Sequence, residues 1–271
     1  MIDAHQHFWT LGRPRPAWPT PDLKPIYRDV LPDEFELLAR QLGVTGSIAV
    51  QSQPTDADTR FLLGLAKDNP FILGVVGWVD LEAPTAPARL KALAAQPKLC
   101  GVRPMLQGLE QDDWIETAPI EAAVRALIEH DLVFDALVHP RHLAPLLAFA
   151  ERWPALAIVI DHGAKPPIGH DLRAWDRGMA ALAALGNVSC KLSGLMTEVQ
   201  PGHGQDAVPP VIDRLSALFG PERLIWGSDW PVLNLATRYE PWLELCRVRI
   251  PSRDREAVFG GNARRVYGLA G

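Results

Sequence analysis

One rhythm repeats along the chain: a short β-branched or apolar run, a polar turn, then a stretch with apolar residues every three or four positions. The short runs predict strands at Ile2–His7, Gly46–Gln51, Ile72–Val79, Leu99–Met105, Leu132–His139, Leu156–Asp161, Val188–Ser193 and Leu224–Ser228. The stretches between them predict helices such as Glu34–Leu42, Ala57–Asp68, Pro119–His130, Leu143–Arg152 and Val211–Phe219. Thr55-Asp-Ala-Asp58 reads as a capped helix start, and Pro97, Pro154 and Pro221 fall just after helical runs, where a helix must stop. Strand–helix units in unbroken succession predict one parallel sheet. Eight of them over about 250 residues have the dimensions of a (β/α)8 barrel. The expected fold is therefore α/β, a single TIM-type barrel across residues 1–271. A doubly wound open sheet would carry a glycine-rich turn after its first strand, whereas the turn here is His5-Gln-His7-Phe-Trp9. The proline-rich stretch 11–32 interrupts the first unit and reads as a long ordered loop over one barrel mouth.

Composition narrows the function classes. Of 271 residues 48% are hydrophobic and 22% charged, an ordinary globular balance that excludes a disordered or collagen-like chain. Lys and Arg total 27 against 32 Asp and Glu, so the formal charge is −5 and a nucleic-acid partner is not expected. The cationic cluster Arg247, Arg249, Arg253 and Arg255 is interrupted by Asp254 and reads as a solvated face. Cys100, Cys190 and Cys246 are scattered and form no C-x-x-C pair, which argues against a zinc ribbon or redox dithiol and suits a reducing cytosol. With no signal-like start and no run of 18 apolar residues, a cytoplasmic protein without membrane attachment is expected.

Both faces of a parallel barrel strand are buried, so titratable residues at strand ends are costly unless they are paired or used. Strand one ends Asp3-Ala-His5-Gln-His7, and alternation puts all three polar side chains on one face, with the imidazoles about 7 Å apart. Strand six ends in Asp161-His162 and strand eight continues through Gly227-Ser-Asp229-Trp230. His5, His7, His162 and Asp229 can converge only inside the mouth. There they could hold a divalent ion and activate water, or act as acid and base without one. Strand four carries Arg103, a candidate electrophile with Asp135 or Glu116 as alternative buried partners, and Gln107 beyond it. Strand five offers Asp135 and His139 on one parity, so alternation does not choose between them. Lys191 on strand seven reads equally as a mouth cation or an outward, snorkelling side chain. Trp9, Trp114 and Trp230 fall just beyond strand ends and suit the walls of a site for a small cyclic substrate. His130, His142, His170 and His203 are expected to be solvated.

These motifs, Asp3-x-His5-x-His7, Asp161-His162 and Gly227-Ser-Asp229-Trp-Pro231, resemble the amidohydrolase-related (type 2) branch of the amidohydrolase superfamily. Trp18 with Arg28-Asp29, Gly101-Val-Arg103, Cys190-Lys-Leu-Ser-Gly194, Gly261-Asn-Ala263 and Tyr267 extend the similarity over essentially the whole chain. They point to the sugar-lactone hydrolases of L-fuconolactonase type. The resemblance implies a distorted (β/α)8 barrel and hydrolysis of a small sugar lactone by base-activated water. It implies Asp229 as the general base, with His5, His7 and His162 either on a metal or polarising the carbonyl. Trp18 and Arg28 join Trp9, Gln107, Trp114, Asp135, Lys191 and Trp230 as substrate-contact candidates. Arg103 stands where metal-rich members place a lysine or glutamate, so the bridging ligand of a two-metal site is missing. A single loosely held Zn²⁺ or other divalent ion, or none, is expected. The rival readings are a hydrolase of carboxylated lactones of the 2-pyrone-4,6-dicarboxylate type and a metal-dependent decarboxylase. A dicarboxylate would want several mouth arginines, and beyond Arg103 only Arg13, Arg15 and Arg28 are available. A monomer or homodimer acting on a small molecule is the expected assembly.

Overall fold

The computed structural model describes residues 1–12 and 18–269. Arg13 and Arg15 lie outside them. Eight strands run parallel in chain order: β1 (Ile2–Gln6), β2 (Gly46–Val50), β3 (Ile72–Gly77), β4 (Leu99–Val102), β5 (Val133–Ala136), β6 (Ile158–Ile160), β7 (Val188–Leu192) and β8 (Leu224–Trp226). The ring is drawn shut between β8 and β1, where the His7 N–H donates to the Trp230 carbonyl (2.8 Å) and the Asp229 N–H to the His5 carbonyl (2.7 Å). The architecture is the (β/α)8 barrel that the periodicity predicts. Most strands stop short of their expected C-terminal ends, because the backbone leaves the ladder where the mouth begins.

The helices α1 (Pro32–Gln41), α2 (Asp56–Asp68), α3 (Ala86–Ala94), α4 (Trp114–Thr117), α5 (Glu121–Glu129), α6 (Leu143–Arg152), α7 (Arg173–Ala183), α8 (Pro209–Arg223), α9 (Tyr239–Arg249) and α10 (Asn262–Val266) accompany them. Local chemistry accounts for their ends. Pro32 opens α1, where a missing N–H costs nothing, with Asp33 and Glu34 in the first turn. The Thr55 hydroxyl accepts the Asp58 N–H at 3.2 Å, the cap expected from sequence. Among the described residues no helix is long and apolar enough to cross a membrane.

Two apolar layers result. Ile2, Ala4, Ile48, Val50, Val76, Val133, Val159 and Ile225 fill the barrel interior, with Ala263 and Tyr267 from the C-terminal segment. A larger layer, including Phe35, Phe134, Trp175, Trp226 and Trp242, lies between strands and helices. Strand one departs from simple alternation. Ile2 and Ala4 point inward, and Asp3 accepts hydrogen bonds from the Tyr239 hydroxyl of α9 (2.9 Å) and the Ser228 N–H (2.9 Å). The β1–β2 register shifts between Asp3 and Gln6, and this irregularity re-aims His5 into the mouth. Asp3 therefore ties β1 to the β8 loop and α9, rather than sharing a face with the two histidines. Burial pushes its carboxyl up to about 6, against the donors from Ser228, His5 and Tyr239.

Candidate active site

A cavity of about 620 Å³ opens at the C-terminal ends of the strands. His7, Arg103, His162 and Asp229 line its floor, below walls that include Trp18, Gln53, Gln107, Lys165 and Glu198. Backbone conformation aims several of these side chains. Asp229 sits at φ 62, and His162, Gly163, Ala164 and Lys165 take φ values of 52, 56, 60 and 50 in succession. Left-handed conformations in non-glycine residues are strained and persist only when their surroundings over-determine them. Here the Trp175 indole N–H donates to the Gly163 carbonyl (2.7 Å), and His162 Nδ1 meets Ser193 Oγ (2.9 Å). Gly194, itself at φ 63, leaves room for the His162 ring, and a Cβ on Gly227 would come within 2.8 Å of the His5 Cβ.

Three imidazoles converge on one carboxylate. Asp229 Oδ1 lies 3.3 Å from His7 Nε2, 3.7 Å from His5 Nε2 and 3.9 Å from His162 Nε2. The His5 ring is 5.0 Å from His7 and 4.5 Å from His162, centre to centre. Hydrogen bonds settle two of the tautomers. His7 Nδ1 donates to the Val50 carbonyl (2.8 Å), so its Nε2 faces Asp229 with a lone pair unless a proton or cation stands between them. Arg103 Nη1 donates to His5 Nε2 (3.2 Å), which leaves the His5 proton on Nδ1, facing Asp161 Oδ1 at 3.3 Å without good alignment. Arg103 also donates to Asp161 Oδ2 (3.1 Å) and to the Gln51 carbonyl.

The electrostatics follow from burial and proximity. Burial holds the His5 imidazole well below its usual pKa, with Asp161 opposing. Burial also lowers His162 to about 4, against Asp229 and Asp161. Burial alone would raise Asp229, but His162, His7 and His5 outweigh it and hold the carboxyl below its usual range. Asp161, likewise buried, is held well below the carboxylate range by Lys191, His5 and Arg103. The floor thus offers ionised carboxylate beside neutral imidazole. That combination suits water activation and is also a divalent-metal donor set. His5, His7 and Asp229 form one group, and His5, Asp161 and His162 another, each with ligand atoms within 4.8 Å of one another. The lone pair that His7 turns toward Asp229 fits such an ion. At His5 Nε2 an ion would compete with Arg103 for the same lone pair.

The structure brings His5, His7, His162, Asp229 and Arg103 together, with Trp18 and Gln107 at the cavity wall. It places the other candidates elsewhere. Trp9 is buried behind Trp18 (ring centres 5.1 Å apart), with its indole N–H spent on the Arg28 carbonyl. Arg28 forms an outward double ion pair with Glu34. Trp114 belongs to α4 and lines a small crevice beside Leu106 and His142 rather than the cavity. Trp230 stacks on Phe35 at 5.1 Å, beneath α1. Asp135, not His139, faces the interior, but below the cavity, where it accepts from Lys191 and from the Tyr267 hydroxyl (2.8 Å). Lys191 is fully buried on Asp135 and Asp161 and is neither a mouth cation nor a snorkelling side chain. Among the histidines expected in solvent, His142 is buried, its Nδ1 accepting the His139 N–H at 2.9 Å.

Gln51, Lys165 and Glu198 are site residues that the sequence did not single out, and Asp161 stood there only as part of the Asp161-His162 motif, with no role of its own. Asp161 was legible as the polar end of an apolar strand. The pairing of Lys165 with Glu198 crosses 33 residues between two loops and left no periodic signal.

Comparison with known proteins agrees with this geometry. The amidohydrolase family pattern matches residues 2–269. An L-fucono-1,5-lactonase from Burkholderia ambifaria is 50% identical over 98% of this chain and 94% of its own length. The crystal structure of a Burkholderia multivorans amidohydrolase with bound HEPES superimposes with a TM-score of 0.92 at 36% identity, covering 99% of both chains. A second crystal form from that organism, with zinc bound, gives 0.88 at 35% identity over the same coverage.

Proposed function

The chain belongs to the amidohydrolase family, and from that premise we propose that it hydrolyses a small neutral sugar lactone, L-fucono-1,5-lactone or a close stereoisomer, to the open sugar acid. The observation that carries this reading is the Asp229 carboxylate, held ionised among three imidazoles at the floor of a cavity of about 620 Å³ that readily admits a small ring. The full-length likeness to an L-fucono-1,5-lactonase supports it.

A lactone is an ester, so its hydrolysis needs a base for the attacking water and donors for the oxygen that gathers charge. Asp229 takes a proton from water as the water's oxygen bonds to the carbonyl carbon. Arg103, fixed by Asp161, His5 and Gln51, directs its guanidinium at the cavity floor and stabilises the developing oxyanion. Collapse breaks the ring C–O bond, and the proton from water passes to the departing ring oxygen. His162, held against Ser193, lies beside Asp229 for that transfer. A divalent ion such as Zn²⁺, held by His5, His7, His162 and Asp229, would polarise the lactone carbonyl as a Lewis acid. Trp18, Met105 and Leu137 supply apolar walls for a ring face, and Gln53 and Gln107 supply amide donors and acceptors for hydroxyls. No serine nucleophile is needed, and no G-x-S-x-G turn occurs in the chain.

The test is a proton-release assay on L-fucono-1,5-lactone and its stereoisomers, with chelated and with Zn²⁺-supplemented enzyme. Release well above the spontaneous rate for at least one neutral sugar lactone is expected. No acceleration under either condition would overturn the proposal.

A further inference from the structure

We propose that the Lys165–Glu198 ion pair in the cavity wall restricts this site to uncharged lactones, because Glu198 keeps the Lys165 ammonium from receiving a substrate carboxylate. The inference rests on the lactonase reading and extends it to the class of lactone accepted.

A carboxylated ring entering a desolvated cavity needs an unpaired cation to meet it. Among the described residues the cavity presents two cations, and each is already committed. Arg103 is 3% exposed, with its two terminal nitrogens bonded to Asp161, His5 and the Gln51 carbonyl, and at the floor its guanidinium serves the reacting carbonyl oxygen rather than a ring substituent. Lys165 Nζ lies 3.0 Å from Glu198 Oε1, with the two side chains only 19% and 16% exposed.

This pair differs from exposed pairs on the helices, such as Arg40–Glu36 and Arg125–Glu121, in its burial and in the backbone that holds it. Lys165 closes the left-handed turn that begins at His162, and its N–H donates to the His162 carbonyl (2.9 Å). Glu198 ends a 3₁₀ segment (Leu195–Glu198) that starts after Gly194. The two loops are then zipped together. The Ile168 N–H donates to the Glu198 carbonyl (3.2 Å), the Gln200 N–H donates to the Ile168 carbonyl (2.9 Å), and Ile168 and Val199 form a parallel bridge. The backbone therefore holds ammonium and carboxylate together on the wall above His162.

A neutral polyol suits this wall. One hydroxyl accepts from the ammonium while the same or a neighbouring one donates to Glu198, so both charges stay partnered. A carboxylate would instead face Glu198 and, below it, Asp229. Specificity of this kind lies in the penalty on the wrong ligand as much as in contacts to the right one.

The experiment measures calorimetric binding of 2-pyrone-4,6-dicarboxylate to wild type, Glu198→Gln and the double variant Lys165→Met/Glu198→Gln. Kinetics on a neutral sugar lactone run in parallel. Freeing Lys165 in Glu198→Gln is expected to tighten dicarboxylate binding by about tenfold or more, the scale of one charge-assisted hydrogen bond. The gain should vanish in the double variant. For the neutral lactone, Glu198→Gln should raise KM several-fold and move kcat less. Equal dicarboxylate affinity in wild type and Glu198→Gln would overturn the proposal, as would a gain that survives removal of Lys165. Glu198→Ala frees the same ammonium and gives the same reading if Glu198→Gln does not fold. Dicarboxylate binding needs no turnover, so failure of the wall is distinguishable from failure of the lactonase reading, which shows as a wild type inactive on every neutral lactone.

Discussion

Two polar clusters occupy the same barrel and share Asp161, yet they differ in how fully their members are partnered. In the lower one Lys191 lies on Asp135 and Asp161, the Tyr267 hydroxyl donates to Asp135, and the Lys191 ammonium stands 5.3 Å from the Tyr267 ring centre. All of it is sealed from solvent. In the upper one His7 Nε2 faces the Asp229 carboxylate at 3.3 Å, and His5 Nδ1 and Arg103 Nε make no hydrogen bond. That cluster opens into the cavity. By residue type the two look alike, since each places carboxylates beside cationic or imidazole groups. What separates a structural network from a reactive one is incomplete partnering combined with access to substrate.

The largest effect that would sharpen this contrast is on stability. Lys191→Met leaves Asp135 and Asp161 short of their buried counter-charge and is expected to destabilise the fold by about 3–5 kcal/mol. Urea or thermal unfolding checks this, and a loss under about 1 kcal/mol would mean the lower cluster does not carry its assigned role. Next comes the electrophile. Arg103→Met should lower kcat by about 10²–10³, the scale of losing one oxyanion donor. Steady-state kinetics on the neutral lactone decide it, read together with the melting temperature because Arg103 also anchors Asp161.

The pH profile of chelated enzyme gives a smaller effect. Burial holds His162 near 4, and Asp229 titrates below the ordinary carboxylate range, so both keep their working forms as pH falls from neutral. Titration of these two groups should therefore lower the rate per enzyme only near or below about 4, not near the 6.5 of a free imidazole. An acid limb at 6–7 carried by either of them would contradict these electrostatics. The smallest effects belong to the residues placed away from the cavity. Arg28→Ala breaks an exposed ion pair with Glu34 and should cost about 1 kcal/mol or less, with kcat/KM for the lactone unchanged within twofold.

Much of this molecule was legible from its sequence, for physical reasons that also mark the limits. The eight-fold repeat of apolar strand and amphipathic helix is a one-dimensional signal, so the barrel and its strand order could be read directly. His5, His7, His162, Asp229 and Arg103 were visible because a polar group at a buried strand end is expensive and therefore conspicuous. Alternation failed where the backbone left its regular path. The β1 irregularity turned Asp3 away from the histidines, and the left-handed turn after Ile160 aimed His162 and Lys165 together. The aromatic candidates failed for another reason. Proximity of Trp9, Trp114 and Trp230 to strand ends does not say whether the ring faces the mouth or a helix, and all three lie outside the cavity lining. Lys191 and Asp135 were on the inward parity, as strand geometry demands, but depth along the strand put them below the site.

The most direct test of the account is the rate of lactone hydrolysis by Asp229→Asn beside wild type, at matched metal content and with folding checked by melting temperature. Loss of the base should lower kcat by about 10²–10⁴ while the fold persists, since the Asp229 N–H bond to the His5 carbonyl belongs to the backbone. An Asp229→Asn enzyme that hydrolyses the lactone within a few-fold of wild type would contradict the assignment of the upper cluster as the reacting one.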